Sequence, residues 1–173
     1  MKATVKWADG AMFVGESGSG HSVVMDGPED LGGRNMGPRP MEMLLLGTGG
    51  CASYDVLSML RKSRQQVVDC RVEVEAERAD AVPAVFTRIA MHFVVTGVGL
   101  KESQVKRAVE LSAEKYCSAS IMLGAAGVAR RELLAQGDEE QREEQGHGQA
   151  VDGIQEGVEL GGSCSSRSER SVV

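Results

Sequence analysis

The chain has 173 residues, 42% hydrophobic and 25% charged, with a formal net charge of −6 and an isoelectric point near 5.2. That length suits one domain plus an extra segment. The negative balance gives no electrostatic case for a nucleic-acid partner. Four widely spaced cysteines, Cys51, Cys70, Cys117 and Cys164, make neither a metal-ligand pattern nor a dense disulfide framework.

Met1 leads straight into Lys2–Trp7 without a signal-peptide pattern. The longest apolar run falls short of the roughly 20 residues that span a bilayer. The expectation is a cytoplasmic protein with no membrane partner, whose cysteines are kept reduced and are reactive sooner than structural.

Residues Ala3–Trp7 alternate as a strand, Asp9-Gly10 turns, and Met12–Glu16 resumes the alternation to make a hairpin. A second turn at Ser17–Gly20 leads to a third strand over His21–Met25. Asp26–Arg39, rich in Gly, Pro and Asp, is a loop. Pro40 suits the first position of a helix, where a missing N–H costs nothing. Glu42 then meets the positive end of the helix dipole. Leu44, Leu45, Val56, Leu57 and Leu60 carry an apolar pattern at helical spacing to about Arg64. Cys51 lies inside this helix, after Gly47, Gly49 and Gly50. Each glycine costs roughly 1 kcal/mol against alanine, which makes sense where another element must approach closely.

Val67–Arg78 and Phe86–Thr96 alternate as two long strands, interrupted at Val82-Pro83, and are expected to pair antiparallel. Lys101–Lys115 reads as a second helix, and Ser118–Leu123 starts a third. Val128–Leu133 is a poor strand candidate and could equally extend a helix. The order is three strands, a long helix, two strands and two helices, an α+β pattern. Residues 1–135 are expected to form the domain. The charged run Asp138–Gln145 and the Gly-, Ser- and Gln-rich stretch after it make 136–173 a low-complexity tail, expected to be disordered.

Two stretches carry the chemistry: Pro40-Met41-Glu42-Met43 through Gly49-Gly50-Cys51, and Glu114-Lys115-Tyr116-Cys117-Ser118. They resemble the two cysteine motifs of the OsmC/Ohr family. Phe93–Gly97 and Leu111–Cys117 bring the resemblance closest to the YhfA-type branch. The resemblance covers Met1 to about Gly127. It implies an OsmC-like fold, with a long central helix wrapped by antiparallel sheets, in an intertwined homodimer.

The resemblance further implies a thiol-dependent peroxidase acting on organic hydroperoxides in oxidative stress defence. Cys51 would attack the peroxide and Cys117 would resolve the product. A dithiol reductant such as a lipoyl protein would regenerate the pair, with no cofactor or metal. Supporting candidates are Glu42, Arg39 and Arg34. The family's glutamate lies ten residues before the cysteine, where this chain has Met41, so the carboxylate is displaced by one position to Glu42. Asp55 shares a helix face with Cys51 at i+4 and would raise its pKa unless paired with a cation.

The remaining candidates read as structural. Cys70 lies on the apolar face of its strand, and Cys164 lies in the tail. His21, His92 and His147 show no ligand spacing, and Gly15–Gly20 joins strands and does not open a helix as a phosphate loop would. Two rival readings stay open: a non-enzymatic binder of small apolar ligands, favoured by the displaced glutamate, and a redox sensor.

Overall fold

The computed structural model describes residues 1–137. Strands β1 (Ala3–Asp9), β2 (Met12–Ser17) and β3 (Ser22–Met25) form an antiparallel meander. After a loop holding one 3₁₀ turn at Glu29–Leu31 comes α1 (Pro40–Lys62). Strands β4 (Gln66–Arg78) and β5 (Phe86–Val98) follow, then α2 (Glu102–Leu111), α3 (Ser118–Ala125) and β6 (Ala129–Gly137). The α+β class, the long helix bearing Cys51 and the antiparallel β4–β5 pair all match the sequence pattern.

Helix α1 starts where its sequence says it should. Pro40 occupies the first turn, and Glu42 Oε2 accepts the Arg39 backbone N–H at 2.8 Å, satisfying a donor the helix leaves free. Thr48, Ala52, Val56 and Leu60, spaced four apart, are its buried stripe. They pack into a core completed by Phe86, Ile89, Met91, Phe93 and Val95 of β5 and by Val105, Ala108 and Val109 of α2. Gly49 belongs to the same face: a Cβ there would lie 3.0 Å from Val74 Cγ2 on β4. Close approach therefore explains this glycine, whereas a Cβ at Gly47 or Gly50 would meet nothing within 4 Å.

Three findings depart from the sequence reading. Val128–Leu133 does not extend a helix: Ala129–Gly137 is a strand that pairs parallel to β5, making the second sheet mixed, in the order β4-β5-β6. The free edge of β5 offers backbone donors and acceptors that pair whatever the side-chain pattern of the incoming segment. The second helix is not continuous to Lys115. It ends at Leu111 and passes into a π-helical turn over Ser112–Tyr116. Lastly, α1 is long and apolar enough to cross a membrane by length and composition. It nevertheless packs on β4, α2 and α3. Only 28% of its most apolar stretch is buried within the chain, so α1 is a core helix on one side and uncovered on the other. The expected tail lies outside the described residues, apart from the end of β6.

Candidate functional site

Cys51 and Cys117, far apart in sequence, are brought together between α1 and the start of α3. Their sulfur atoms and a carboxylate oxygen of Asp55 all lie within 4.8 Å of one another. The π-helical turn sets this geometry. It closes with the Cys117 N–H donating to the Ser112 carbonyl at 2.8 Å. The wider turn delivers Cys117 to the N-cap of α3; such turns recur at functional sites. Ser112 is itself buried, and its hydroxyl donates to the Ala52 carbonyl at 3.3 Å, tying the turn to α1 beside Cys51.

Both sulfurs face the amino end of α3. The Ser120 N–H donates to Cys117 Sγ at 3.4 Å, and the backbone dipole of Ala119 acts on Cys51 Sγ. A helix amino terminus favours negative charge on such atoms. The Ala119 N–H is the largest single influence on the Cys51 thiol and acts to lower its pKa. Burial, the hydrogen bond and charge of Cys117, and the Asp55 carboxylate together outweigh it, so the thiol is held above its ordinary value. No cation among the described residues offsets them. Cys117 is fully buried, while Cys51 and Asp55 keep partial exposure.

The supporting candidates lie elsewhere in the single chain. Glu42 pairs with Arg39 at 3.2 Å on the surface of the first helical turn. The backbone N–H of Arg39 is the main cause, ahead of opposing desolvation and the Arg39 side chain, of a lowered Glu42 pKa. Nine helical steps of about 100° put Glu42 roughly on the opposite side of α1 from Cys51. There it lines a groove of about 490 Å³ with Pro38, Leu45, Leu46, Val72 and Val74. Arg34 pairs with Asp9 of β1. Cys70 packs partly buried against the core. Burial first, then the Asp69 charge, pushes its thiol pKa up.

Sequence reasoning missed Ser112, Ala119 and Ser120, because backbone donors and a cross-helix hydroxyl carry no motif. It missed Asp26 for the same reason. This fully buried carboxylate accepts the backbone N–H groups of Gly27, Arg34 and Met36 at 2.7, 2.9 and 3.1 Å and shapes the loop into α1.

A long cysteine-bearing helix on a β-sheet, with a second cysteine presented by the start of a short helix, defines a two-thiol α+β protein. Residues 32–129 match the family model described as OsmC-like protein. Protein YhfA of Escherichia coli K12 is 52% identical over 123 residues, which cover 71% of this chain and 89% of that protein. The chain belongs to the OsmC-like family. Among solved structures, a hypothetical protein from Aquifex aeolicus is similar at 27% identity and TM-score 0.70, over 80% of this chain and 96% of that one. The organic hydroperoxide resistance protein OhrB of Bacillus subtilis shares the fold at 17% identity and TM-score 0.54, over 78% of this chain and 96% of that one.

Proposed function

We propose that this protein reduces organic hydroperoxides through Cys51 and Cys117, in peroxide-related stress defence. The observation that carries the reading is the meeting of the two sulfurs within 4.8 Å at the amino end of α3. The Cys51 thiolate attacks the peroxide and the O–O bond breaks. The electron pair leaves on the alcohol oxygen, which takes a proton, and Cys51 becomes a sulfenic acid. The Cys117 sulfur then attacks the Cys51 sulfur, an S–S bond forms and water leaves. A dithiol such as a lipoyl group returns two electrons by thiol–disulfide exchange. Fold likeness to organic hydroperoxide resistance proteins supports this substrate class.

The working unit is a homodimer in this proposal. The β1–β3 sheet contributes no residue to the core, and it exposes Val5, Trp7, Phe13 and Val24. Helix α1 exposes Leu44, Leu46 and Tyr54. Two apolar faces left open on one chain mark an interface, and a symmetric pair buries both at once. In this reading the second copy is the source of the positive charge that the described residues do not bring to the thiols. The Arg34 and Arg39 ion pairs are solvent-exposed and contribute little, so either guanidinium can exchange its partner for the thiol site across the interface.

The test is peroxide consumption with a dithiol reductant, followed by mass spectrometry. Cys51→Ser should abolish consumption. Cys117→Ser should turn over about once and then collect oxygen atoms on Cys51 as sulfenic and sulfinic acid. Wild-type consumption in both variants would overturn the reading. The apolar groove beside Glu42 favours a second reading, a binder of small apolar ligands, which would then lead.

A further inference from the structure

We propose that Cys51, Asp55 and Cys117 together form a three-ligand site for a thiophilic divalent cation such as zinc. The cysteine spacing gives no metal pattern, because one ligand pair is local and the third arrives only through the fold. Cys51 and Asp55, at i and i+4, share a face of α1. Cys117 comes from the N-cap of α3. All three donor atoms already lie within 4.8 Å of one another. Tetrahedral zinc with Zn–S near 2.3 Å and Zn–O near 2.1 Å needs donors about 3.6–3.8 Å apart. Against the 4.8 Å bound, the donor atoms need to approach by about 1 Å at most.

The donor chemistry selects the ion. Two thiolates and one carboxylate suit zinc over magnesium or calcium, which take all-oxygen sites. The surroundings suit it as well. The backbone N–H of Ser120 already donates to Cys117 Sγ, and an outer hydrogen bond of this kind orients a metal ligand. Three protein ligands leave a fourth position for water or an incoming ligand. The partial exposure of Cys51 and Asp55 gives it a route in. A disulfide between the cysteines would remove both sulfur ligands, so oxidation would release the ion.

The test uses the reduced full-length chain and cobalt as the spectroscopic probe, with zinc in competition; no peroxide turnover enters the readout. One cobalt per chain should bind with the sulfur-to-metal charge-transfer and intense visible bands of tetrahedral thiolate coordination, and zinc should displace it. Cys51→Ser and Cys117→Ser should lose the charge-transfer band, while Cys70→Ser and Cys164→Ser keep it. Asp55→Asn should weaken binding by more than the roughly 10–100-fold that losing an outer partner costs. Asp55→His, which supplies a good zinc ligand at the same place, should restore it and guard against a misfolded Asn variant. Equal binding by the wild type, Asp55→Asn and the Cys51→Ser/Cys117→Ser double variant would overturn the proposal, as would no tetrahedral spectrum in the wild type. Because the assay is blind to peroxide, a protein that binds cobalt but consumes no peroxide would sink the peroxidase reading alone.

Discussion

Gly49→Ala places a methyl at the tightest point between α1 and β4. An ideal Cβ there lies 3.0 Å from Val74 Cγ2 and 3.3 Å from Val72 Cγ1. Carbon atoms prefer about 3.5–4.0 Å, so the contact with Val74 is short by about 0.5 Å. Both valines are stiff at χ1 and sit on a strand held by its ladder to β5, so the contact must give by a few tenths of an ångström against a stiff neighbour. Overpacking of this kind costs about 1–3 kcal/mol, and replacing a helical glycine by alanine gives back roughly 1 kcal/mol. The expected net loss is about 0–2 kcal/mol, too small to interpret alone. A double-mutant cycle with Val74→Ala isolates the contact, because that change removes the methyl that Gly49→Ala would strike. The double variant should be destabilised by about 1 kcal/mol less than the sum of the single losses. Urea denaturation followed by circular dichroism gives the four stabilities, provided the slope is unchanged. An additive cycle, or a Gly49→Ala variant stabilised by the full helix-propensity gain, would refute close packing as the reason for this glycine.

The Cys51 thiol is held above its ordinary pKa against the pull of the Ala119 N–H, by burial, Cys117 and the Asp55 carboxylate. Its alkylation by iodoacetamide should therefore keep rising with pH beyond the midpoint of a model thiol, and Asp55→Asn should move the midpoint down; coincident profiles would remove Asp55 from the site. The Asp26 carboxyl is lowered first by the Arg34 N–H and then by that of Met36, with burial opposing and the Gly27 N–H and Arg34 charge adding. Its folded pKa lies below its unfolded one, so its stabilisation is full above the unfolded value and fades as pH falls through the folded value. Thermal melts of the wild type and Asp26→Asn should differ at pH 7 and converge below about pH 4, and a constant gap would count against this. Glu42→Gln keeps an acceptor for the Arg39 N–H but loses the ion pair. It should change stability little and leave the pH profile of Cys51 alkylation unchanged; a midpoint moved down, as expected for Asp55→Asn, would place Glu42 at the thiols after all.

What was legible in the sequence follows from periodicity. Val56 and Leu60 at helical spacing and the alternation of β4 and β5 bury side chains at fixed intervals, and such patterns survive in text, although Leu44 of the same helical pattern is exposed. Strand β6 left no such trace, because its place depends on the open edge of β5 and its pairing is made by backbone atoms. The break in the second helix was hidden too. Ser112–Tyr116 has ordinary helical composition, and only the i+5 bond from Cys117 to Ser112 shows the turn. The site was half legible. The two cysteines stood out through their surroundings, while their approach and the donors on their sulfurs are properties of three elements meeting. The cation candidates could not be placed from text, since Arg34 and Arg39 find partners in β1 and at the start of α1.

Asp55 decides how the site must be completed. A carboxylate beside two sulfurs opposes the thiolate that either proposed activity requires, and the amino end of α3 alone does not offset it. What the cluster lacks, among the described residues, is positive charge. The two proposals differ in what supplies it: a guanidinium from a second copy or a divalent ion. These sources have opposite effects on Cys51. A guanidinium stabilises the thiolate and leaves its sulfur open to peroxide, so Cys51 stays reactive and added salt slows it by screening the pair. A metal ion stabilises the thiolate by bonding to it, so Cys51 is shielded and a chelator exposes it. The alkylation rate of the purified protein, measured with and without chelator and across salt concentration, therefore reads which charge completes the site. Acceleration by chelator identifies the ion, slowing by salt identifies the guanidinium, and both together mean that the ion is the resting occupant and the arginine the working one. A rate indifferent to both would leave Asp55 uncompensated and remove the physical basis for an activated Cys51.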